Sequence, residues 1–212
     1  GDHIYALVLG SAVNHNARTG AFRVPNPEAQ AALIQQALQQ AGVDAASLSY
    51  IEAAANGSPL GDPLEIAGVH RALNGAPVRM GSVKSNLGHL EAASGISQLT
   101  KVIGQLRDGV LYPSIHSEPR NPDLGLERTA IQLVTQAEPW VAHTPRRAGI
   151  SSFGAGGANV HLIVEEYIAT PAADREQPEV ILLSARNEHQ LQALAVQLAD
   201  AVEQLAAPLA DI

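Results

Sequence analysis

Strand-like apolar runs alternate with helix-periodic stretches along this 212-residue chain, which predicts an α/β fold. Composition supports the same class. Hydrophobic residues make up 46% and charged residues 16%, the balance of a globular chain with a sizeable core. Aromatics reach only 3%, so that core must be Ala, Val, Leu and Ile.

The elements follow in order. Ile4–Val13 is rich in β-branched and large apolar residues and predicts a buried strand. A polar loop, Asn14–Arg23, leads to Pro25-Asn26-Pro27. Glu28–Ala41 places Ala32, Leu33, Ala37 and Leu38 at helical spacing and stops at Gly42. Ser49–Ala54 predicts a short strand. Asp62-Pro63 opens a helix whose stripe is Ile66, Val69, Ala72 and Leu73, ending near Gly75. Arg79–Val83 predicts a strand. His89–Leu106 predicts a long helix with Leu90, Ala93, Ile96, Leu99, Val102, Ile103 and Leu106 on its buried face. Pro113, Pro119 and Pro122 mark an extended loop, and Ala130–Val134 predicts a strand. Arg147–Ser152 and Ala158–Glu165 form a strand pair around the turn Gly154-Ala155-Gly156-Gly157.

Composition changes after Tyr167. Ala169–Pro178 reads as a linker rich in Pro, Ala and charge. Val180–Leu183 then predicts a strand and Asn187–Leu205 a helix, with Leu191, Leu194, Ala195, Leu198, Val202 and Leu205 in register. This gives two parts, 1–168 and 169–212, the second forming part of a small α/β subdomain. The helix stripe needs a partner that the few residues after it cannot supply.

Thirteen basic and twenty-one acidic residues give a net charge of −8, with no Lys/Arg block, so nucleic acid is not an expected partner. No apolar run approaches the roughly 18–20 residues that span a bilayer, and a cytoplasmic location is expected. There is no cysteine. Disulfides, zinc–thiolate sites and a cysteine nucleophile on this chain are therefore excluded. The chain opens Gly-Asp-His-Ile-Tyr, with neither an initiator Met nor a signal-peptide layout. Beginning at once in core structure, it reads as a piece of something larger, with an apolar face left open.

Few residues announce chemistry by pattern. The Gly154–Gly157 turn is followed by a strand rather than a helix, so the dinucleotide-loop context fails, and no phosphate-binding P-loop occurs. Eight histidines are scattered without His-Glu-x-x-His or an i, i+4 pair, so no metal site is expected. His89 stands apart at the predicted start of a helix, with Lys84 five residues upstream. A helix N-terminus disfavours the imidazolium and keeps the ring available as donor or base. On its own, the residue also fits a capping or core histidine.

Three longer segments point further. Glu52-Ala53-Ala54-Ala55-Asn56-Gly57-Ser58-Pro59-Leu60-Gly61-Asp62-Pro63-Leu64-Glu65 resembles the EAHGTGT-x-LGDP-I/L-E segment of polyketide-synthase ketosynthases. Gly81-Ser82-Val83-Lys84-Ser85-Asn86-Leu87-Gly88-His89-Leu90-Glu91-Ala92-Ala93-Ser94-Gly95 is similar to their GSVKSNIGHLEAAAG. Ser151-Ser152-Phe153-Gly154-Ala155-Gly156-Gly157-Ala158-Asn159-Val160-His161 resembles SSFGFGGTNAH. The order and spacing match too, over roughly residues 1–168, and the wording suggests the modular type whose acyltransferase acts in trans.

The resemblance implies a thiolase fold, of which this chain matches the second half: a mixed sheet covered by helices. It implies an N-terminal half bearing the cysteine, a homodimer, and substrates carried on the phosphopantetheine of an acyl carrier protein, with no cofactor bound directly. The family's second catalytic histidine matches His89 and its lysine matches Lys84. Ala155, Phe153, Asn86 and Gly156 match substrate-binding positions. The first histidine, however, matches Ala54, whose methyl group is neither donor nor base. The rest of HGTGT has become Ala55-Asn56-Gly57-Ser58, and the gating phenylalanine of GFGG is Ala155. Asp62, Lys84, Asn86, His89 and Glu91 remain. These departures imply a ketosynthase that transfers acyl chains without extending them. A condensing enzyme with unorthodox residues and a purely structural docking unit are the alternatives.

Overall fold

The computed structural model describes residues 3–17, 24–169 and 180–204. They divide into two compact units, one of residues 4–17 and 24–167 and the other of residues 3, 168–169 and 180–204. In the first unit the chain order is β1 (Ala6–His15), α1 (Pro27–Ala41), β2 (Tyr50–Glu52), α2 (Gly61–Ala72), β3 (Val78–Gly81), α3 (Lys84–Leu87), α4 (Ser94–Asp108) and β4 (Val110–Leu111). Then come β5 (Ile131–Leu133), β6 (Glu138–Pro139), β7 (Arg147–Phe153) and β8 (Ala158–Glu166).

Six strands make one mixed sheet, in the order β1-β8-β7-β2-β3-β5. β8 runs antiparallel to both of its neighbours, β1 and β7, while β7, β2, β3 and β5 are mutually parallel. Successive strand residues feed opposite faces. Ile51 and Ile163 join Leu33, Ile34, Ala37, Val69 and Leu73 of the α1–α2 side, whereas Tyr50 and Val164 join Val102, Leu106 and Trp140. The sheet is thus covered on both faces. Tyr50 meets Trp140 edge-on at 5.7 Å, and the indole N–H donates to Ser49 Oγ at 2.9 Å.

Local signals set α1. Asn26 Oδ1 accepts the N–H groups of Glu28 and Ala29 at 3.0 and 3.2 Å, Pro27 occupies the first turn, and Gly42 ends the helix at φ 66°. α1 lies against β1 at Gly10, beside a register shift of that strand. A Cβ at Gly10 would sit 2.7 Å from Ala41 N and 2.8 Å from Ala37 O, both backbone atoms. Gly10→Ala should therefore cost about 1–3 kcal/mol by forcing α1 off the sheet. Urea unfolding of the intact protein checks this; an unchanged midpoint refutes it.

Several expectations need correction. Ile4–Val13 is not a buried strand: β1 is the sheet edge, only Ala12 is buried, and Val8 and Val13 are 58% and 68% exposed. The predicted His89–Leu106 helix breaks into pieces. α3 ends at Gly88, where φ is 82°, a single 3-10 turn spans Glu91–Ala93, and α4 begins only at Ser94.

The face that α4 buries also differs. Ser94, Gln98, Lys101 and Gln105 are buried beside Val102 and Leu106, whereas Ile96 is 63% exposed. The spacing is helical, but the residues turned inward are largely polar because they serve the strand ends beneath them. The β7–β8 hairpin turns at Gly154–Gly157 as expected, closed by Gly157 N–H to Gly154 O at 2.9 Å.

In the second unit, Glu188–Gln204 forms α5, with Asn187 Oδ1 accepting the Gln190 N–H. Val180–Leu183 is not a strand. Its apolar run pairs with no ladder among the described residues. Of the predicted linker only Ala169 is described, and Leu205 also lies outside the described residues.

Candidate active site

The carboxyl ends of β2, β3 and β7 open on one side of the sheet, where α/β architectures place ligands. There lies an open cavity of about 740 Å³. Its wall includes Ala54, Lys84, His89, Phe153, Ala155 and Gly156. Six of the seven sequence-predicted site residues are therefore neighbours across one space. Asn86 is not among the lining residues: it is exposed, and its amide donates to Pro113 O at 3.4 Å.

The loop after β2 carries Ala54, and groups elsewhere in the fold hold its backbone. Ala53 N–H donates to Gly81 O at 2.8 Å, and Ala53 O accepts from Gln98 Nε2 at 3.0 Å. Ala54 N–H donates to Glu65 Oε1 at 2.8 Å, and Lys84 Nζ donates to Ala54 O. Ser82 Oγ donates to Ala55 O at 2.6 Å. Asp62 accepts the N–H groups of Asn56 and Gly57 at 3.3 and 3.0 Å. The Ala54 side chain takes part in none of this.

Lys84 begins α3, and Glu52 helps to place it by accepting the Val83 N–H at 2.6 Å. Burial lowers the ammonium below its ordinary range, against the pull of Glu65, Glu52 and Asp62. Glu65 is buried on α2, and desolvation pushes it up to about 8, with Asp62 adding to the rise and the Ala54 N–H opposing it. Both groups are driven toward their neutral forms, so burial outweighs their attraction.

His89 is not at the start of a long helix, and no helix end sets its tautomer. Instead Nδ1 accepts the Glu91 N–H at 3.0 Å and lies 3.0 Å from Ser94 Oγ. An Nδ1 that accepts a backbone N–H leaves the proton of a neutral ring on Nε2. His89 thus brings an N–H donor to the cavity wall. His161, in the third motif, differs: it is fully buried, desolvation pushes it down to about 3, and Nδ1 lies 3.0 Å from Ser151 Oγ. It is a neutral packing group.

Sequence reasoning missed Gln98 and Glu65 as site builders. Gln98 Nε2 reaches both Ala53 O and Ser151 O, at 3.0 and 2.7 Å, and so ties the exit of β2 to β7. A polar residue repeating at helical spacing within an apolar helix was the available signal. No cluster of three or more His, Cys, Asp or Glu residues able to hold a metal occurs among the described residues. No helix among them is long and apolar enough to cross a membrane.

Comparison with known proteins agrees with this architecture. Residues 5–118 match the family model for the beta-ketoacyl synthase C-terminal domain, and residues 120–210 match the ketoacyl-synthetase C-terminal extension. The chain is 44% identical to polyketide synthase ThaQ of Burkholderia thailandensis, over 96% of this chain and 10% of that protein. It is 42% identical to polyketide synthase PksN of Bacillus subtilis, over 96% of this chain and 4% of that protein. Among solved structures, it superposes on the oxazolomycin ketosynthase domain OzmH KS7 of Streptomyces albus with a TM-score of 0.76 and 42% identity, covering 98% of this chain and 38% of that one. The ketosynthase from module 6 of the Bacillus subtilis bacillaene synthase gives 0.74 and 31%, covering 97% and 37%. The chain spans a small part of these relatives and less than half of the solved ketosynthases. The mixed sheet under its helices is the thiolase-type fold of these ketosynthases, and the chain belongs to the beta-ketoacyl synthase C-terminal domain family, as part of a polyketide-synthase ketosynthase.

Proposed function

We propose that the ketosynthase completed by this chain accepts an acyl group from a carrier protein and passes it on without adding two carbons. One observation carries the reading: a methyl group, Ala54, stands in the cavity wall where the family motif has its first histidine, on a loop whose backbone remains anchored. Decarboxylative condensation develops negative charge on a thioester oxygen, and fixed donors must meet it. His89 still offers one N–H. Ala54 offers nothing, and loss of one such donor slows a reaction by about 10²–10³. Acylation draws on different groups: a cysteine thiolate on the N-terminal half and backbone N–H donors.

The outward apolar side chains Leu87, Leu90 and Ile96, 58%, 43% and 63% exposed, supply a surface for that N-terminal half to cover. A homodimer, a carrier protein presenting phosphopantetheine thioesters, a cytoplasmic location, an acyltransferase acting in trans and a division at 1–168 and 169–212 complete the proposal.

The test loads the intact ketosynthase with an acyl thioester, adds malonyl-carrier protein, and follows CO2 and product mass. Acyl-enzyme should form, while the β-ketoacyl product appears about 10²–10³ more slowly than with a condensing ketosynthase. Ala54→His should recover part of the difference, since Ala55, Asn56 and Ala155 also depart from the condensing pattern. Efficient condensation by the unmodified protein would overturn the reading.

A further inference from the structure

We propose that Asn16 binds a neutral carbonyl oxygen of the thioester substrate through its side-chain NH2 group; this rests on the acyl-transfer reading above. Asn16 directly follows β1, and three of its four polar groups are engaged inside the protein. Its N–H donates to Gly157 O at 2.9 Å, its C=O accepts from Asn26 Nδ2 at 3.1 Å, and its Oδ1 accepts from Asn159 Nδ2 at 2.8 Å. The fourth group, Nδ2, donates to nothing among the described residues. Asn16 is half-buried and forms part of the cavity wall. Unlike Asn159 Oδ1, which is enclosed without a partner, this Nδ2 is accessible from outside.

A relay of hydrogen bonds decides which end of the Asn16 amide is left over. Ala29 O can only accept, so the Asn14 atom 2.7 Å from it is Nδ2. Asn14 Oδ1 then accepts from Asn159 Nδ2 at 3.0 Å, and the second proton of that Nδ2 goes to Asn16 Oδ1. Turning over any one of the three amides would set oxygen against oxygen or NH2 against NH2. The arrangement leaves Asn159 Oδ1 buried and unpaired, a cost that an apolar residue would avoid. What it secures is a donor of fixed orientation at the cavity wall. An NH2 group takes an oxygen acceptor, and Asp62 on the same wall repels a carboxylate, so the acceptor is a neutral carbonyl. Such an oxygen occurs in the amides of a carrier arm and as a keto group along an acyl chain.

The test uses the intact ketosynthase and two series of acyl thioesters, with acylation kcat/KM read by intact-protein mass. In the first, the N-acetylcysteamine thioester of a plain acyl chain is matched with the thioester of an alkanethiol of equal length, which lacks the amide. In the second, both members are N-acetylcysteamine thioesters, and a keto group at successive chain positions is replaced by methylene. The member carrying the carbonyl should be favoured by about three- to tenfold in at least one series, the worth of one hydrogen bond, and the series tells arm from chain. Asn16→Asp keeps an acceptor for Asn159 Nδ2 and loses the donor. It should bring that pair to equal rates or reverse their order, whereas a purely structural residue would leave the ratio unchanged. Equal rates in both series with the unmodified protein would overturn the proposal, and so would an Asn16→Asp protein that keeps the ratio. If that variant fails to fold, Asn16→Ala, which puts no charge beside Asn159, takes its place with the same two outcomes. Malonyl-carrier protein added to the same samples separates the two readings. A β-ketoacyl product with the preference intact removes only the acyl-transfer reading; no product and no preference removes only this one.

Discussion

Lys101→Met should destabilise the intact ketosynthase by about 3–5 kcal/mol, because it strands a carboxylate inside the protein. Lys101 Nζ lies 2.9 Å from Glu52 Oε2 and 2.8 Å from Tyr50 Oη, and the Tyr50 hydroxyl donates to Glu52 Oε2 at 2.7 Å. The Lys101 and Glu52 side chains are 4% and 0% exposed. Burial already drives the Glu52 carboxyl above its ordinary range despite the adjacent ammonium, and it drives the Tyr50 hydroxyl up more strongly. Met fills the volume of the Lys101 stem and removes the only buried cation of this group. Glu52→Gln combined with Lys101→Met should be milder than Lys101→Met alone, since no charge is then left unpaired. Urea unfolding measures both. A loss no larger than that of an exposed ion pair, under about 1 kcal/mol, would contradict the account.

The second large effect concerns pH. Glu65 in the folded protein titrates near 8, far above an ordinary glutamate. Between the unfolded and folded values the native state holds a proton that the unfolded chain has released, so stability falls as pH rises through that window. At about 1.4 kcal/mol per unit, the loss between pH 5 and pH 8 is about 4 kcal/mol. Below the unfolded value both states are protonated and the penalty vanishes. Glu65→Gln keeps an acceptor for the Ala54 N–H and cannot ionise. Its stability should therefore be flatter across pH 5–8, and the gap to the unmodified protein should widen toward pH 8 in the variant's favour. Parallel pH profiles for the two proteins would show that Glu65 does not carry this penalty.

What the sequence made legible was what local chemistry decides. Asn26, Pro27 and Gly42 specify both ends of α1 without help from the rest of the chain. The glycines at 154–157 specify the β7–β8 turn. Ala54, Lys84 and His89 could be placed in one site because long motifs carried them there, and the cavity wall includes all three. What stayed hidden depends on neighbours distant in sequence. An apolar run such as Ile4–Val13 cannot reveal that its strand has a partner on one side only. The stripe on α4 misled because apolar periodicity ignores polar residues, and Gln98 and Lys101 are inward only because Ala53 O, Ser151 O and Glu52 wait beneath them.

The way the Ala54 loop is fastened bears on how such a protein can change. The hydrogen bonds that Gly81, Gln98, Glu65, Lys84, Ser82 and Asp62 make to residues 53–57 all end on backbone atoms. The anchoring of this loop therefore does not draw on the side chain at position 54, which is itself only 8% exposed. On the acyl-transfer reading, an imidazole there serves the reaction and none of the hydrogen bonds that anchor the loop depends on it. Loss of the imidazole then removes a donor while the mount stays in place, and its return would restore only part of the activity because Ala55, Asn56 and Ala155 also differ. If the acyl-transfer reading holds, a pass-through step can arise at this loop without rebuilding the domain.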